Sequence, residues 1–144
     1  MTSGSAGGYC IEDLAVGTTA EFAKTLTDAD IVLFAGVSGD TNPVHLDEEF
    51  AAGTQFKGRI AHGMLTAAFL SAVLGARMPG PGSIYLSQTL RFRAPVRPGD
   101  TVRARATVKE IDTAKKRVTL TTVCTVGGKT VVEGEAVVLV PSRG

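Results

Sequence analysis

The amino-acid sequence predicts an α+β fold in which one antiparallel sheet curls around a single apolar helix. After residue 83 the chain consists of four successive segments with alternating apolar and polar residues, in hairpin-like order. One earlier segment, Thr18–Leu26, alternates in the same way. The segment from Ala61 to Gly75 is apolar on nearly every face, and a helix of this kind must be surrounded by protein. An antiparallel sheet with one face in water fits the alternation of the strands.

A predicted helix follows the first strand. Thr27 is placed to act as its N-cap, and Asp28 and Asp30 fall in the first turn, where the helix dipole favours negative charge. Gly39 ends this helix. Its predicted buried stripe has the spacing i, i+3, i+4 and i+7 and consists of Ile31, Phe34, Ala35 and Ser38.

The next segment is predicted to be a stiff bend that carries three functional groups close together. Pro43 has no N–H, fixes its own φ at about −65° and pushes Asn42 out of the helical region. We therefore expect irregular backbone that presents Asp40, Asn42 and His45, and functional groups are often found on such backbone.

The remaining elements are a short acidic helical turn and the strands. The turn is expected around Asp47–Ala52, with Phe50 as its apolar anchor. Gly127-Gly128 predicts a two-residue hairpin before the last strand. In the strand after the apolar helix, one face is apolar apart from Gln88, and its apolar members are Ile84, Leu86, Leu90, Phe92, Ala94 and Val96.

Length and composition predict one domain over residues 14–144, preceded by a flexible tail over residues 1–13. Lys and Arg together number 15 and Asp and Glu 14, with no basic tract, so a nucleic-acid partner is not expected. The longest apolar run is shorter than the roughly 20 residues that cross a bilayer, and no signal or transit peptide is recognisable. Cys10 and Cys124 lie far apart without a CxxC motif, which supports neither a disulfide nor a zinc site. We therefore expect a cytoplasmic protein without membrane association.

The polar residues of the bend have both a structural and a catalytic interpretation. Asp40 and Asn42 are common turn-stabilising residues, and His45 is explained equally well as a hydrogen-bonded core histidine. For each residue alone the structural interpretation is the stronger one. Together they supply an acid/base pair and a hydrogen-bonding amide, which is more than a turn requires.

A second candidate position lies at the start of the apolar helix. The first N–H groups of a helix lack intrahelical partners, and Gly63 allows a substrate to approach them closely, as in an oxyanion hole. The alternative is that Gly63 only permits tight packing, and His62 is interpreted as structural or loop-orienting. Ser71, a polar residue on the apolar helix, either orients a catalytic side chain or bonds its own backbone carbonyl.

The stretch Ser38-Gly39-Asp40-Thr41-Asn42-Pro43-Val44-His45, with Ala51 downstream and His62-Gly63-Met64 further on, resembles the MaoC-like, or (R)-specific enoyl-CoA hydratase, family. His62-Gly63-Met64 and the strand entry Gly82-Ser83-Ile84-Tyr85-Leu86 are also similar to the short single-domain bacterial members that supply monomers for polyhydroxyalkanoate (PHA) synthesis. The resemblance implies a hot-dog fold, a five-stranded antiparallel sheet around the central helix. It also implies a homodimer whose sheets join side by side, with an acyl tunnel near the subunit interface.

The implied reaction is the reversible hydration of a trans-2-enoyl-CoA to an (R)-3-hydroxyacyl-CoA, with no metal or cofactor besides the coenzyme A of the substrate. Asp40 and His45 would then supply the base and the acid between them, in either assignment. Asn42 would help to fix the water, and the Gly63 N–H would stabilise the thioester enolate. The candidate substrate-binding residues are Phe69, Ser71, Leu74 and Gln88. Three alternatives stay open: a 3-hydroxyacyl-ACP dehydratase, a hot-dog acyl-thioesterase and a non-catalytic acyl-thioester-binding protein.

Overall fold

Residues 7–144, the part of the chain that the computed structural model describes, contain six β-strands, four α-helices and one 3₁₀ turn. The strands are β1 (Thr19–Thr25), β2 (Ile84–Gln88), β3 (Arg91–Phe92), β4 (Thr101–Asp112), β5 (Arg117–Val126) and β6 (Lys129–Leu139). The helices are α1 (Asp28–Ser38), α2 (Pro43–Leu46), α3 (Glu48–Ala52) and α4 (Gly63–Ala76), and the 3₁₀ turn is Ile11–Asp13.

All strands belong to one antiparallel sheet with the order β1-β4-β5-β6-β2, and the two-residue β3 also pairs with β6. The sheet packs around α4, which contacts β1, β2, β4, β5 and β6. The predicted class, an antiparallel sheet around a central helix, is confirmed. The five-strand path agrees with the expected count, and β3 is a short addition to it.

The strand predicted to run without interruption from Ile84 to Val96 is instead broken. A bulge lies between Tyr85 and Ser87, and β2 ends at Gln88. The chain crosses β6 so closely at this point that a Cβ on Gly134 would lie 1.8 Å from the carbonyl oxygen of Thr89. This close crossing separates β2 from β3.

Helix α1 begins and ends as predicted. The Thr27 side chain accepts the N–H of Asp30, and the Asp30 carboxylate accepts the N–H of Thr27, which forms a capping box. Gly39 ends the helix with φ of 81°, a left-handed conformation that suits glycine. Ile31 and Ala35 of the predicted stripe are buried and Phe34 is half-buried, whereas Ser38 is exposed because it lies at the helix end.

The bend after α1 contains more helix than predicted. Asn42 is non-helical, as a residue before proline should be, but Pro43 starts a helical turn at a position where its missing N–H costs nothing. His45 therefore lies on helix α2 and not on irregular backbone. In α3, Ala51 is buried and Phe50 is 50% exposed, so the predicted anchor was wrong: the larger side chain points away from the domain.

Helix α4 forms the centre of the core, with Leu70, Val73 and Leu74 almost fully buried. The prediction that α4 is surrounded on all sides is wrong for the single chain, because one stripe of the helix is exposed to solvent. The exposed stripe consists of Met64, Ala68, Ser71 and Gly75, spaced four, three and four residues apart. This stripe is called the open face of α4 below.

The amino-terminal segment is packed more tightly than expected. Residues 1–6 of the predicted tail lie outside the described residues, but Cys10 and Ile11 are buried in the core. The N–H of Tyr9 donates to the carbonyl of Pro79, and the N–H of Ile11 donates to the carbonyl of Pro141. The tail prediction is therefore wrong for residues 9–13. None of the described helices is long and apolar enough to cross a membrane.

Candidate active site

His45 is held in one orientation by a backbone carbonyl. It is 8% exposed, and its Nδ1 lies 2.8 Å from the carbonyl oxygen of Ile60. Because a carbonyl can only accept, Nδ1 carries the proton and Nε2 of the neutral ring has a free lone pair. The Arg59 Nε–H donates to the His45 carbonyl at 2.8 Å, which ties α2 to the loop that precedes α4.

Asp40 follows Gly39, which has a left-handed conformation, and both its backbone N–H and its backbone carbonyl are hydrogen-bonded. Its N–H donates to Ser38 Oγ at 3.1 Å, and its carbonyl accepts Nε2–H of His62 at 2.9 Å. The carboxylate accepts the N–H of Asn42 at 3.3 Å and is otherwise exposed. One carboxylate oxygen thus stabilises the turn, and the group as a whole remains accessible to a ligand.

His62 joins the two candidate catalytic residues. Its ring stacks on that of His45, with centroids 3.9 Å apart and planes at 28°, while its Nε2–H bonds the Asp40 backbone. Phe34 packs on the ring at a centroid distance of 4.9 Å. The interpretation of His62 as a structural or orienting residue agrees with these contacts.

A cavity of about 420 Å³ opens beside these side chains. Its lining is mainly apolar with a few converging polar groups, which is typical of small-molecule sites. The residues that matter for its chemistry are Asp40, His45, His62, Gly63, Thr66 and Phe92. Asp40, His45 and Gly63, which the sequence analysis selected together, are thus brought to one cavity.

Gly63 is the first residue of α4, so its N–H has no intrahelical acceptor and lies at the positive end of the helix dipole. The ring of Phe92 packs directly against it, and a Cβ at this position would lie 2.5 Å from Phe92 Cδ1. This contact favours the packing explanation for the glycine. It leaves the role of the N–H as an oxyanion donor a proposal.

Asn42 is used by the backbone in this structure. Its Oδ1 accepts the N–H of Val44 at 3.0 Å and caps α2, and the residue is exposed and outside the cavity lining. The capping oxygen leaves the amide nitrogen as the group that remains for a ligand.

Comparison with known proteins identifies the family of the chain. A model of the MaoC-like domain matches residues 13–132. The chain belongs to the MaoC-like domain family.

An (R)-specific enoyl-CoA hydratase of Rhodospirillum rubrum is 59% identical over 136 residues, which are 94% of each chain. A 3-hydroxybutyryl-CoA dehydratase of Methylorubrum extorquens is 52% identical over 92% of this chain and 84% of its own length. The solved structure of the Aeromonas caviae (R)-hydratase involved in PHA biosynthesis superposes with a TM-score of 0.88 at 46% identity, covering 90% of this chain and 99% of that one.

These findings confirm the resemblance to MaoC-like hydratases and the hot-dog class. The four candidate substrate-binding residues do not line the 420 Å³ cavity in the single chain. Phe69 is buried between α4 and β1, in edge contact with Phe22 at 5.8 Å, and Leu74 is in the core. Ser71 lies on the open face of α4.

Gln88 is part of a hydrogen-bonded chain on the inner face of the sheet. Its Nε2 donates to Thr122 Oγ1 at 2.9 Å, and its Oε1 accepts the Tyr85 hydroxyl. Burial, with a smaller contribution from the nearby Cys124 thiol, raises the pKa of Tyr85 to about 12. Burial raises the pKa of Cys124 to about 12 as well, so this cysteine is a poor nucleophile.

Asp40, His45 and His62 also have the donor types of a metal site, and one donor atom of each lies within 4.8 Å of the others. One nitrogen of each ring is bonded to a carbonyl, an arrangement compatible with either a metal ligand or a proton carrier. The relative orientation of the rings favours proton chemistry. The rings are stacked, so their lone pairs lie in nearly parallel planes and converge poorly on a single tetrahedral ion.

Sequence reasoning missed two residues of the cavity, Thr66 and Phe92. Phe92 was assigned to the apolar inner face of a long strand, but it is 54% exposed and covers the start of α4. Ser71 is the polar residue of α4 that the sequence analysis names, whereas Thr66 is the buried one. The four-residue spacing between His62 and Thr66, which places them on one helix face, was a signal that could have found the second residue.

Proposed function

We propose that this protein is an (R)-specific enoyl-CoA hydratase, a carbon–oxygen lyase that adds water reversibly to trans-2-enoyl-CoA and forms (R)-3-hydroxyacyl-CoA. The observation that carries the proposal is the meeting of Asp40 and His45 at one cavity beside the amino end of α4. The 59% identity to a protein named for this activity supports it.

In the proposed mechanism, Asp40 and His45 hold one water molecule against the β-carbon of the enoyl thioester. One of the two groups takes a proton from this water as its oxygen bonds to the β-carbon, and the other gives a proton to the α-carbon. The roles are exchanged in dehydration, because the reverse reaction passes through the same transition state. His45 Nε2 is suited to this task, since the bond from Nδ1 to Ile60 leaves it free.

Asn42 and Gly63 have supporting roles in this proposal. The amide nitrogen of Asn42 donates to the water, because its oxygen is engaged with Val44. The Gly63 N–H stabilises the negative charge that develops on the thioester oxygen in the enolate. No metal or prosthetic group takes part in these steps, and coenzyme A enters only as part of the substrate.

We further propose that the protein works as a homodimer in which β2 pairs with β2 of a second copy. The support is the exposed apolar surface at this edge, where Ile84, Tyr85 and Leu86 are all accessible in the single chain. Unpaired edges with apolar side chains favour strand pairing with another chain. The open face of α4, which includes Ser71, would be covered by the same partner.

The acyl chain would then run between the subunits, and Phe69, Ser71, Leu74 and Gln88 are proposed to limit its length. The proposed physiological setting is cytoplasmic supply of PHA monomers or fatty-acid metabolism. The relative from Aeromonas caviae is described as involved in PHA biosynthesis.

The purified protein should be tested with crotonyl-CoA. The proposal expects loss of the conjugated enoyl absorbance, no release of free thiol, and a product of (R) configuration by chiral chromatography. Thiol release would instead identify a thioesterase, and binding without turnover a non-catalytic acyl-thioester-binding protein. A comparison of 3-hydroxyacyl-CoA with the matching acyl-carrier-protein thioester would identify an ACP dehydratase.

A further inference from the structure

The wall of the cavity contains two buried polar atoms that make no hydrogen bond. Within residues 7–144, neither Nδ1 of His62 nor Oγ1 of Thr66 has a hydrogen-bond partner. His62 is 2% exposed and Thr66 is 1% exposed, and both line the cavity. Because an unsatisfied buried polar group is costly, a pair of them in one cavity indicates a bound polar ligand.

The two atoms are complementary in their hydrogen bonding. His62 uses Nε2–H to donate to the Asp40 carbonyl, so Nδ1 of the neutral ring can only accept. The Thr66 hydroxyl can donate or accept, and its backbone groups are already engaged: its N–H bonds the His62 carbonyl and its carbonyl accepts the Cys124 thiol. A water molecule between them would donate to Nδ1 and accept from, or donate to, the hydroxyl.

We propose that a water bound in the cavity joins Thr66 Oγ1 to His62 Nδ1, and that Thr66 acts through this water and His62 as a positioning residue for Asp40. The inference rests on the proposed hydratase function for its catalytic consequence. The proposed water site itself depends only on the two unbonded buried atoms and not on that function.

Thr66 would influence Asp40 through the tautomer of His62. A water that donates to Nδ1 keeps the ring proton on Nε2, where it bonds the Asp40 carbonyl at 2.9 Å. If the proton moved to Nδ1, the Nε2 lone pair would face the lone pairs of that carbonyl. The repulsion would displace the Asp40 backbone and the ring that stacks on His45 at 3.9 Å.

Two variants of Thr66 test the proposed water. Thr66→Val removes the hydroxyl at nearly constant shape, and Thr66→Ser keeps it. Thr122→Val is the matched control, because Thr122 is equally buried and its hydroxyl already accepts a bond from Gln88. The chain has two histidines, so ¹⁵N spectra of the imidazoles can be assigned readily. These spectra report the tautomer of His62 without reference to activity.

We expect Thr66→Val to change the ¹⁵N shifts of His62 toward a mixture of tautomers and to lower kcat on crotonyl-CoA by about tenfold at most, the worth of one hydrogen bond. KM should stay within about twofold, since the hydroxyl does not bind the substrate in this scheme. Thr66→Ser should keep the His62 shifts and kcat close to those of the wild type. Thr122→Val should leave the His62 spectrum unchanged. A crystal structure should contain the bridging water.

Unchanged His62 shifts in Thr66→Val would overturn the inference. A raised melting temperature of this variant would overturn it as well, because removal of a truly unbonded buried hydroxyl stabilises a protein. An altered His62 spectrum in Thr122→Val would overturn it too, since the effect would then be unspecific. A wild-type protein that does not hydrate crotonyl-CoA contradicts the proposed function instead, while the spectra still test the water site.

Discussion

The imidazole of His62 lies flat on the imidazole of His45, at a centroid distance of 3.9 Å. This contact explains how a helix of only four residues can hold the proposed catalytic side chain of His45 in place. Helix α2 is too short to be rigid by itself, so His45 is fixed by groups outside it: the Ile60 carbonyl in the plane of the ring and His62 on its face. Both groups belong to the segment that leads into α4, and the site is therefore anchored to the core.

Asp40→Asn should abolish hydration while the fold remains intact. The amide can still accept the N–H of Asn42, so the turn is preserved, but it cannot exchange a proton with water or carbon. We expect a fall in kcat of at least about 10²-fold on crotonyl-CoA, the usual contribution of a general acid or base. Circular dichroism should show a melting temperature close to that of the wild type. A folded variant with full activity would remove Asp40 from the mechanism.

His45→Asn tests the roles of the two ring nitrogens of His45 separately. The Asn amide can still donate to the Ile60 carbonyl in place of Nδ1, whereas no group replaces Nε2. Activity should fall by a similar factor of about 10² or more, with stability reduced by about 1–2 kcal/mol because the stacking on His62 is lost. Chemical denaturation and enoyl-CoA kinetics measure the two effects separately. Activity that follows only the unfolded fraction would show that His45 is architectural.

The features that the sequence predicted correctly depend on short stretches of chain. The capping box of Thr27 and Asp30 and the left-handed Gly39 are local, and so is the grouping of Asp40 with His45, because only four residues lie between them. Pro43 was interpreted as a breaker, but the same ring also suits the first position of a helix. Whether Pro43 breaks a helix or begins one depended on Asn42, whose side chain caps the turn.

The features that the sequence did not give depend on contacts between distant segments. Phe92 covers Gly63 only because Thr89 crosses β6 at Gly134 and divides the strand. The packing of residues 9–13 depends on Pro79 and Pro141, which are far away in the chain. Apolar periodicity identifies α4 as a helix that needs cover on all sides, but it does not distinguish cover by the same chain from cover by a second copy.

Stability should decline at alkaline pH through Cys124. Burial raises the pKa of this thiol to about 12, above the value of about 8.5 expected in the unfolded chain. Between these values the unfolded state loses a proton that the folded state keeps, so the free energy of unfolding falls as pH rises, by up to about 1.4 kcal/mol per pH unit. Urea denaturation from pH 8 to about pH 11 measures this slope.

Cys124→Ala provides the comparison, because it removes this thiol and keeps every other titratable side chain of the protein. The variant should be less stable at neutral pH, owing to the lost side-chain volume, and should show a shallower decline above about pH 9. Parallel curves for the two proteins would mean that the thiol ionises as readily in the folded state as in the unfolded chain.

The proposed dimer can be tested at the edge of the sheet. Ile84→Lys places a charge on β2, where 55% of the isoleucine is exposed in the single chain, and charges on edge strands oppose pairing. Sedimentation equilibrium should show a dimer for the wild type and a monomer for the variant. Val16→Lys is the control, because Val16 is 68% exposed and lies before β1 at the other edge of the sheet. A monomeric wild type, or a variant that dimerises as well as the control, contradicts this interface.

Gly63 and Phe92 should be energetically coupled. Gly63→Ala places a Cβ 2.5 Å from the Phe92 ring, so it should destabilise the fold by about 1–3 kcal/mol through overpacking. Phe92→Ala removes the obstacle, and the double variant should therefore be more stable than the sum of the two single effects by about 1 kcal/mol or more. The alanine keeps the N–H of residue 63, so hydration of crotonyl-CoA should recover in the double variant relative to Gly63→Ala. Recovered stability without recovered activity would mean that substrate itself needs the space at Gly63. Additive effects on stability would show that the contact with Phe92 is not what requires glycine here.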